Sequence, residues 1–340
     1  MLRSSGPVRV AVFGTKSYDR FWLDAANARF GHHLVYFEPL LDESTVMLAA
    51  QFQAVCVFVN DTLNEAVLIA LHKAGTRIIA LRCAGYNNVD LRAAQRLGMT
   101  VVRVPAYSPH AVADFTVGLV LALDRHIHRA YARVRDNNFA LDGMVGRNLF
   151  GRTVGVIGTG RIGALVARAF GQGFGCTVLA SDLAPDPALI ATGVHYLDPR
   201  SVLAQADIVT LHCPLTPLTR HLIDADAIRA ARPGVMIVNT SRGALIDTVA
   251  LVEGLKSRKI GSVALDVYEQ EADLFFEDLS NEIIDDDVFQ RLLTFPNVLV
   301  TGHQAFLTEE ALAAIAETTL QSIDDAAADR PLANQLKAAA

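Results

Sequence analysis

The run Thr153-Val154-Gly155-Val156-Ile157-Gly158-Thr159-Gly160-Arg161-Ile162-Gly163 constrains this chain more than any other segment. A bare Gly-x-Gly-x-x-Gly is a weak signal, but here it stands in context. A short β-branched apolar run precedes it, an apolar helical run follows, and Asp182 ends the next strand. A strand must then pass through a tight turn directly into a helix. Gly158 permits the turn, Gly160 lets the backbone approach a pyrophosphate, and Gly163 lets helix and strand pack closely. The helix start offers free N–H groups and a partial positive charge to phosphates. Asp182 can accept hydrogen bonds from adenosine ribose hydroxyls and would repel a 2′-phosphate. Leu183 and Ala184 bring no Arg to neutralise one, so the pattern favours NAD over NADP. The alternative is a glycine-rich turn followed by a surface Asp.

This turn opens the second of two α/β series. In the first, residues 8–13, 34–37, 54–59, 77–81 and 100–104 are short and β-branched. They read as buried parallel strands separated by amphipathic helices that end near Gly75 and Gly98. In the second, strands are predicted over 153–157, 177–180, 208–211, 235–239, 262–265 and 298–300, the six of a dinucleotide-binding sheet. One helical pattern from Pro109 to Arg135, about 40 Å long, connects the two series. Another follows from Thr308 to Asp325 and is expected to pack back on the first series.

The chain has 340 residues, long for one domain and natural for two. Apolar residues make up 51% and charged ones 19%, which suits large cores and argues against disorder. With a net charge of −6 and no basic tract, nothing points to nucleic acid or an anionic membrane. The start lacks a signal-peptide pattern, and no apolar run is long enough to span a bilayer. Cys56, Cys83, Cys176 and Cys213 lie far apart without zinc spacing. The expectation is a cytoplasmic protein with reduced thiols and no metal.

Three residues could carry chemistry at strand ends. Arg242 follows an apolar strand and could clamp a carboxylate with two parallel hydrogen bonds. A solvated Arg is the bland alternative. His303 follows another strand and could donate a proton near neutral pH, although the chain has ten His and position alone does not choose among them. An acid beside it would orient the ring and stabilise its imidazolium. Spacing allows Glu271, Glu269 or another acid of the run to Asp287. Cys83 and Cys213 read as packed small residues.

At these positions the chain resembles the D-isomer-specific 2-hydroxyacid dehydrogenases. The motifs are LRCAGYNNVD, VRVPAYSPHAVA, GVIGTGRIG, LHCPLTPLTRHLID, NTSRGALID, LDVYEQEADLFFED and GHQAFLTEEAL. The last two are most similar to the D-lactate dehydrogenases of Gram-negative bacteria. One departure is Asp114-Phe115, where those enzymes usually carry Glu-His.

The resemblance implies two doubly wound parallel-sheet domains. One is a flavodoxin-like substrate domain of residues 1–107 plus 306–340. The other is an NAD-binding Rossmann domain of residues 108–305. It implies Arg242, Glu271 and His303 as the catalytic set, with Ala84, Gly85 and Tyr107 joining Arg242 at the substrate. Arg161 and Ile162 would meet the pyrophosphate. Cys213, Pro214, Thr219, Thr240, Ser241 and Asp266 would line the cofactor cleft. The implied reaction is hydride transfer between NADH and pyruvate or another 2-keto acid, in a homodimer or homotetramer. A reading of a different class is an NAD(H)-sensing binding protein, against which the intact Arg–Glu–His set argues.

Overall fold

The computed structural model describes residues 6–271 and 274–338. Its strands are β1 (Arg9–Val12), β2 (His33–Tyr36), β3 (Ala54–Val57), β4 (Ile78–Leu81), β5 (Thr100–Arg103), β6 (Thr153–Ile157), β7 (Thr177–Ser181), β8 (His195–Tyr196), β9 (Ile208–Leu211), β10 (Val235–Asn239), β11 (Ile260–Leu265), β12 (Val298–Val300) and β13 (Gln335–Leu336). The chain divides into two compact units, residues 1–108 with 307–340, and residues 109–306. The sequence reading puts these boundaries one residue earlier.

The first unit holds one sheet in the order β13-β5-β4-β3-β1-β2. Strands β1 to β5 pair in parallel, whereas β13 pairs antiparallel with β5, a closing strand the sequence reading does not contain. Alternate residues of β1, and Phe13 just after it, feed opposite cores. Val10 and Val12 pack with Leu320 and Ile323 on one face, and Ala11 and Phe13 with Leu68 and Leu71 on the other. Both faces are covered, so the strand reads as a continuous apolar run rather than an alternating one.

The second unit holds a seven-stranded parallel sheet, β12-β11-β10-β9-β6-β7-β8. The two-residue β8 is the addition to the six strands predicted; its brevity leaves no periodicity to read. Strand order reverses between β6 and β9, a topological switch point outside which ligands bind in open α/β sheets. Again the core alternates: Val235 and Ile237 face one side, Met236 and Val238 the other.

The single helix predicted from 109 to 135 is two helices, Pro109–Asp124 and Ile127–Arg135. His126 takes a left-handed conformation at φ 55°. The cause lies outside the helix. Asp124 is buried and held by Arg147 at 2.9 Å, and Gly146 packs so closely that a Cβ would lie 2.4 Å from the Asp124 carbonyl oxygen. Asp114 is exposed and Phe115 packs at the edge of the core, so the departure at these two positions leaves the first helix intact. Among the described residues no helix is long and apolar enough to cross a membrane.

Candidate active site

The phosphate turn explains two of its three glycines by internal packing. Gly158 has φ +91°, and a Cβ there would lie 2.5 Å from the Cys213 nitrogen, so strand β9 closes against the turn. At Gly163 a Cβ would lie 1.9 Å from the Gly158 oxygen. Gly160 is different. Its φ is −63°, open to any residue, and no protein atom lies within 4 Å of a Cβ built there. The turn, then, gives Gly160 no steric reason to be glycine, whereas a ligand brought close to the backbone would give one.

The helix Arg161–Arg168 supports the same conclusion. Asn64, Asp90, Asp186, Asp198, Asp224, Asp247, Asp286 and Thr308 cap the helices that follow them. The helix after Gly160 has no side-chain cap, which leaves its first N–H groups available to an anion. Arg161 and Ile162 are its first two residues.

Beside the turn lies a cavity of about 790 Å³ reached by Gly158, Gly160, Asp182, Cys213, Pro214 and Thr219. Its walls are mostly apolar, with Leu183, Leu197, Leu218 and Leu222 among them. Asp182 is fixed there. One carboxylate oxygen accepts from the Thr159 N–H at 2.6 Å and from its hydroxyl at 3.2 Å; the other accepts from the Ala184 N–H at 2.9 Å. Burial alone would raise its pKa, but the bonds from Ala184 and Thr159 outweigh it and hold the carboxyl below the usual range. A fixed carboxylate at an apolar slot beside an uncapped helix fits the adenosine half of a nicotinamide dinucleotide.

Two glycine variants separate these roles. Gly163→Ala should cost about 1–3 kcal/mol of stability through overpacking. Gly160→Ala should leave the melting temperature nearly unchanged and weaken NADH binding about tenfold, because its Cβ meets only ligand. Melting curves and NADH fluorescence titrations would check both; a Gly160→Ala protein that binds NADH normally would remove the phosphate-turn assignment.

The chemistry-bearing residues stand at neighbouring strand ends of the same unit. His303 follows β12 in a left-handed conformation at φ 54°, and its Nδ1 lies 2.9 Å from Glu271 Oε1. Glu271 Oε2 accepts from the Tyr268 N–H at 2.9 Å. With Nδ1 engaged, Nε2 is the ring atom left for a substrate. The choice that spacing leaves open is decided by neighbours. Glu269 is taken by His221 Nε2 at 2.6 Å and Arg220 at 3.2 Å.

Asp266 stands behind this pair rather than on an open surface. It is 1% exposed and accepts from the Thr301 hydroxyl at 2.6 Å and the Gln304 and Ala305 N–H groups at 2.9 Å. Burial pushes its pKa up despite those bonds. Its visible work is to hold the loop that carries His303.

Arg242 opens the short turn Gly243–Leu245 after β10. Its carbonyl accepts from Asn239 Nδ2 at 2.8 Å, and its Nη1 donates to the Ser241 carbonyl at 2.6 Å. Next to it, a Cβ on Gly243 would lie 2.0 Å from the Tyr268 carbonyl carbon. The loop of Arg242 therefore packs directly on the loop of Glu271. The Ser241 hydroxyl donates to the Cys213 carbonyl at 2.8 Å, and the Thr240 hydroxyl pairs with Thr116 at 2.9 Å. The first contact joins the ends of β9 and β10, and the second ties the end of β10 to the helix Pro109–Asp124.

Ala84, Gly85 and Tyr107 belong to the first unit, the first two on the loop after β4. All three are half-buried. Part of the motif LDVYEQEADLFFED, Ala272 and Asp273, lies outside the described residues.

Tyr196 and His212 are among the cavity residues that sequence reasoning passes over. Tyr196 donates to the Thr159 hydroxyl at 2.9 Å and so braces the group that fixes Asp182. His212, before Cys213, is half-buried, and desolvation of its ring holds its pKa down at about 3, so it stays neutral. Burial likewise pushes the Cys213 thiol up to about 11, which makes it a packed residue and not a nucleophile.

Comparison with known proteins agrees with this geometry. Residues 117–305 match the family model for the D-isomer specific 2-hydroxyacid dehydrogenase NAD binding domain. A 2-hydroxyacid dehydrogenase homolog of Haemophilus influenzae is 54% identical over 316 residues, covering 93% of this chain and 95% of its own. The D-lactate dehydrogenase of Escherichia coli is 51% identical over 329 residues, covering 97% and 100%. In a solved structure, the pyruvate reductase of Chlamydomonas reinhardtii superposes with a TM-score of 0.91 at 46% identity, covering 96% and 98%. Identity of about half the residues over nearly the whole chain, with the family model spanning the second unit, shows that the chain belongs to the NAD-dependent D-isomer-specific 2-hydroxyacid dehydrogenases.

Proposed function

We propose that this enzyme is a D-lactate dehydrogenase that reduces pyruvate to D-lactate, reversibly, with NADH. The observation that carries the reading is the Glu271–His303 pair at 2.9 Å, with the Glu271 loop packed against that of Arg242. The E. coli relative named D-lactate dehydrogenase supports the choice of substrate.

The Arg242 guanidinium holds the substrate carboxylate, with two donors matched to two oxygens. The Ala84 and Gly85 N–H groups and the Tyr107 ring are proposed to complete the contacts. Gly158, Gly160, Arg161, Ile162, Asp182, Cys213, Pro214, Thr219, Thr240 and Ser241 would hold NADH, whose reduced nicotinamide, when bound, supplies a hydride. His303, with Nδ1 bonded to Glu271, gives its Nε2 proton to the carbonyl oxygen as negative charge develops there. Glu271 offsets the positive charge of the imidazolium before the transfer. In lactate oxidation the same nitrogen takes the proton back.

A panel of 2-keto acids with NADH, with the chirality of the product measured, tests the proposal. Pyruvate should rank first and give D-lactate; a bulkier acid ranking first would keep the reaction and change the substrate. Product of L configuration would defeat the assignment. Binding of NADH without turnover of any acid would favour the sensing reading.

Cofactor choice is a separate expectation. The fixed Asp182 carboxylate would face the 2′-phosphate of NADPH, so kcat/KM with NADPH should be lower by about 10²-fold, and Asp182→Ser should narrow the gap. Steady-state kinetics with both cofactors reads this directly.

The homo-oligomer reading has support in the second unit. The helix Ile127–Arg135 buries none of its residues, and Tyr131, Phe139, Leu141, Val145 and Phe150 are exposed along and after it. Apolar surface of that extent suits a contact with a second copy. A sedimentation mass of one chain would reject it. The four free, buried cysteines support the cytoplasmic reading, a reducing compartment.

A further inference from the structure

The loop after β4 presents two backbone donors whose direction is set from β5. The Cys83 carbonyl accepts from the Val104 N–H at 3.1 Å. The Ala84 carbonyl accepts from Arg103 Nη1 at 2.7 Å. Each peptide is planar and trans, so its N–H points to the side opposite its carbonyl. With the Cys83 oxygen tied to β5, the Ala84 N–H must face away from that tie. The Ala84 oxygen, held by Arg103, fixes the Gly85 N–H in the same manner. Among the described residues neither N–H has a protein acceptor.

Arg103 is itself held on two sides. It is the last residue of β5, in register with Leu81 of β4, and its N–H donates to the Asn334 carbonyl at 3.1 Å beside the closing strand β13. Its guanidinium lies 5.0 Å from the centroid of the Tyr86 ring. A planar cation gripping a carbonyl at its edge and an aromatic ring at its face leaves the loop few ways to turn.

We propose that Arg103 is a positioning residue for substrate: it holds the 84–85 peptide so that the Gly85 N–H is aimed at the carboxylate of a 2-keto acid. The inference rests on the reading that the Ala84 and Gly85 N–H groups bind that carboxylate. Arg103 need not touch substrate, and a role confined to stabilising the strand end predicts a different outcome.

The test compares full-length wild type, Arg103→Met and Arg103→Lys, using whichever 2-keto acid the wild type reduces best. Arg103→Met should raise KM for that acid about tenfold, with the NADH dissociation constant within twofold of wild type. Arg103→Lys keeps one donor for the Ala84 carbonyl but loses the planar face, and should recover part of the KM. A melting temperature that falls while KM stays unchanged overturns the inference, as does a NADH dissociation constant that rises in step with KM. A wild type that reduces no 2-keto acid fails the parent reading, and that is seen before either variant is compared.

Discussion

His303→Ala is expected to lower kcat/KM for pyruvate reduction by about 10³-fold, the scale of a general acid. NADH affinity should change little, because the residues proposed to hold the adenosine and pyrophosphate lie at the ends of β6, β7 and β9. The same factor should appear in kcat/KM for lactate oxidation. One ring nitrogen serves both directions, and the equilibrium constant belongs to the reactants. Glu271→Gln keeps a polar neighbour for Nδ1 and removes the charge, so a smaller loss, on the order of 10²-fold, should follow. Initial rates in both directions with saturating cofactor measure all of this. If His303→Ala retains a tenth of the activity, His303 is not the proton donor.

Arg242→Lys is expected to lower kcat/KM for pyruvate by about 10²-fold, roughly 3 kcal/mol of transition-state binding. The charge survives, yet an ammonium cannot place two parallel donors on a carboxylate. Both a higher KM and a lower kcat should contribute, since a loosely held keto acid meets His303 in fewer productive orientations. The backbone of the turn should be undisturbed, because Asn239 grips the carbonyl of residue 242 and not its side chain. NADH titration provides the control. Unchanged pyruvate kinetics would mean that another cation clamps the substrate.

The phosphate turn is legible because its determinants are local: three glycines, a β-branched run before them and an acid at the end of the next strand. The strands of both sheets read from burial on two faces. What the residues alone leave open is settled by partners far away in sequence. Glu269 and Glu271 are equivalent by spacing, and His221 and His303 sort them. Resemblance to the family picks Glu271 where periodicity cannot. The break at His126 follows from Arg147 and Gly146, about twenty residues on, while the helical pattern runs across it unbroken. Strands β8 and β13 have two residues each, too few to carry a period. Arg103 is a polar residue at a strand end, and only the loop it holds distinguishes it.

The discontinuity of the first unit sets an order of assembly on the ribosome. Ala316, Leu320 and Ile323 of the helix Glu309–Ala327 complete the core that Val8, Val10, Val12 and Leu23 begin. The second unit, residues 109–306, is continuous and is synthesised in between. At roughly 5–20 residues per second, the β1–β5 sheet waits about 10–40 s for its covering helix. The unit made first is therefore finished last, and for that interval the part of one apolar sheet face that Trp22 and Leu23 do not cover is open to chaperones or to a neighbouring nascent chain.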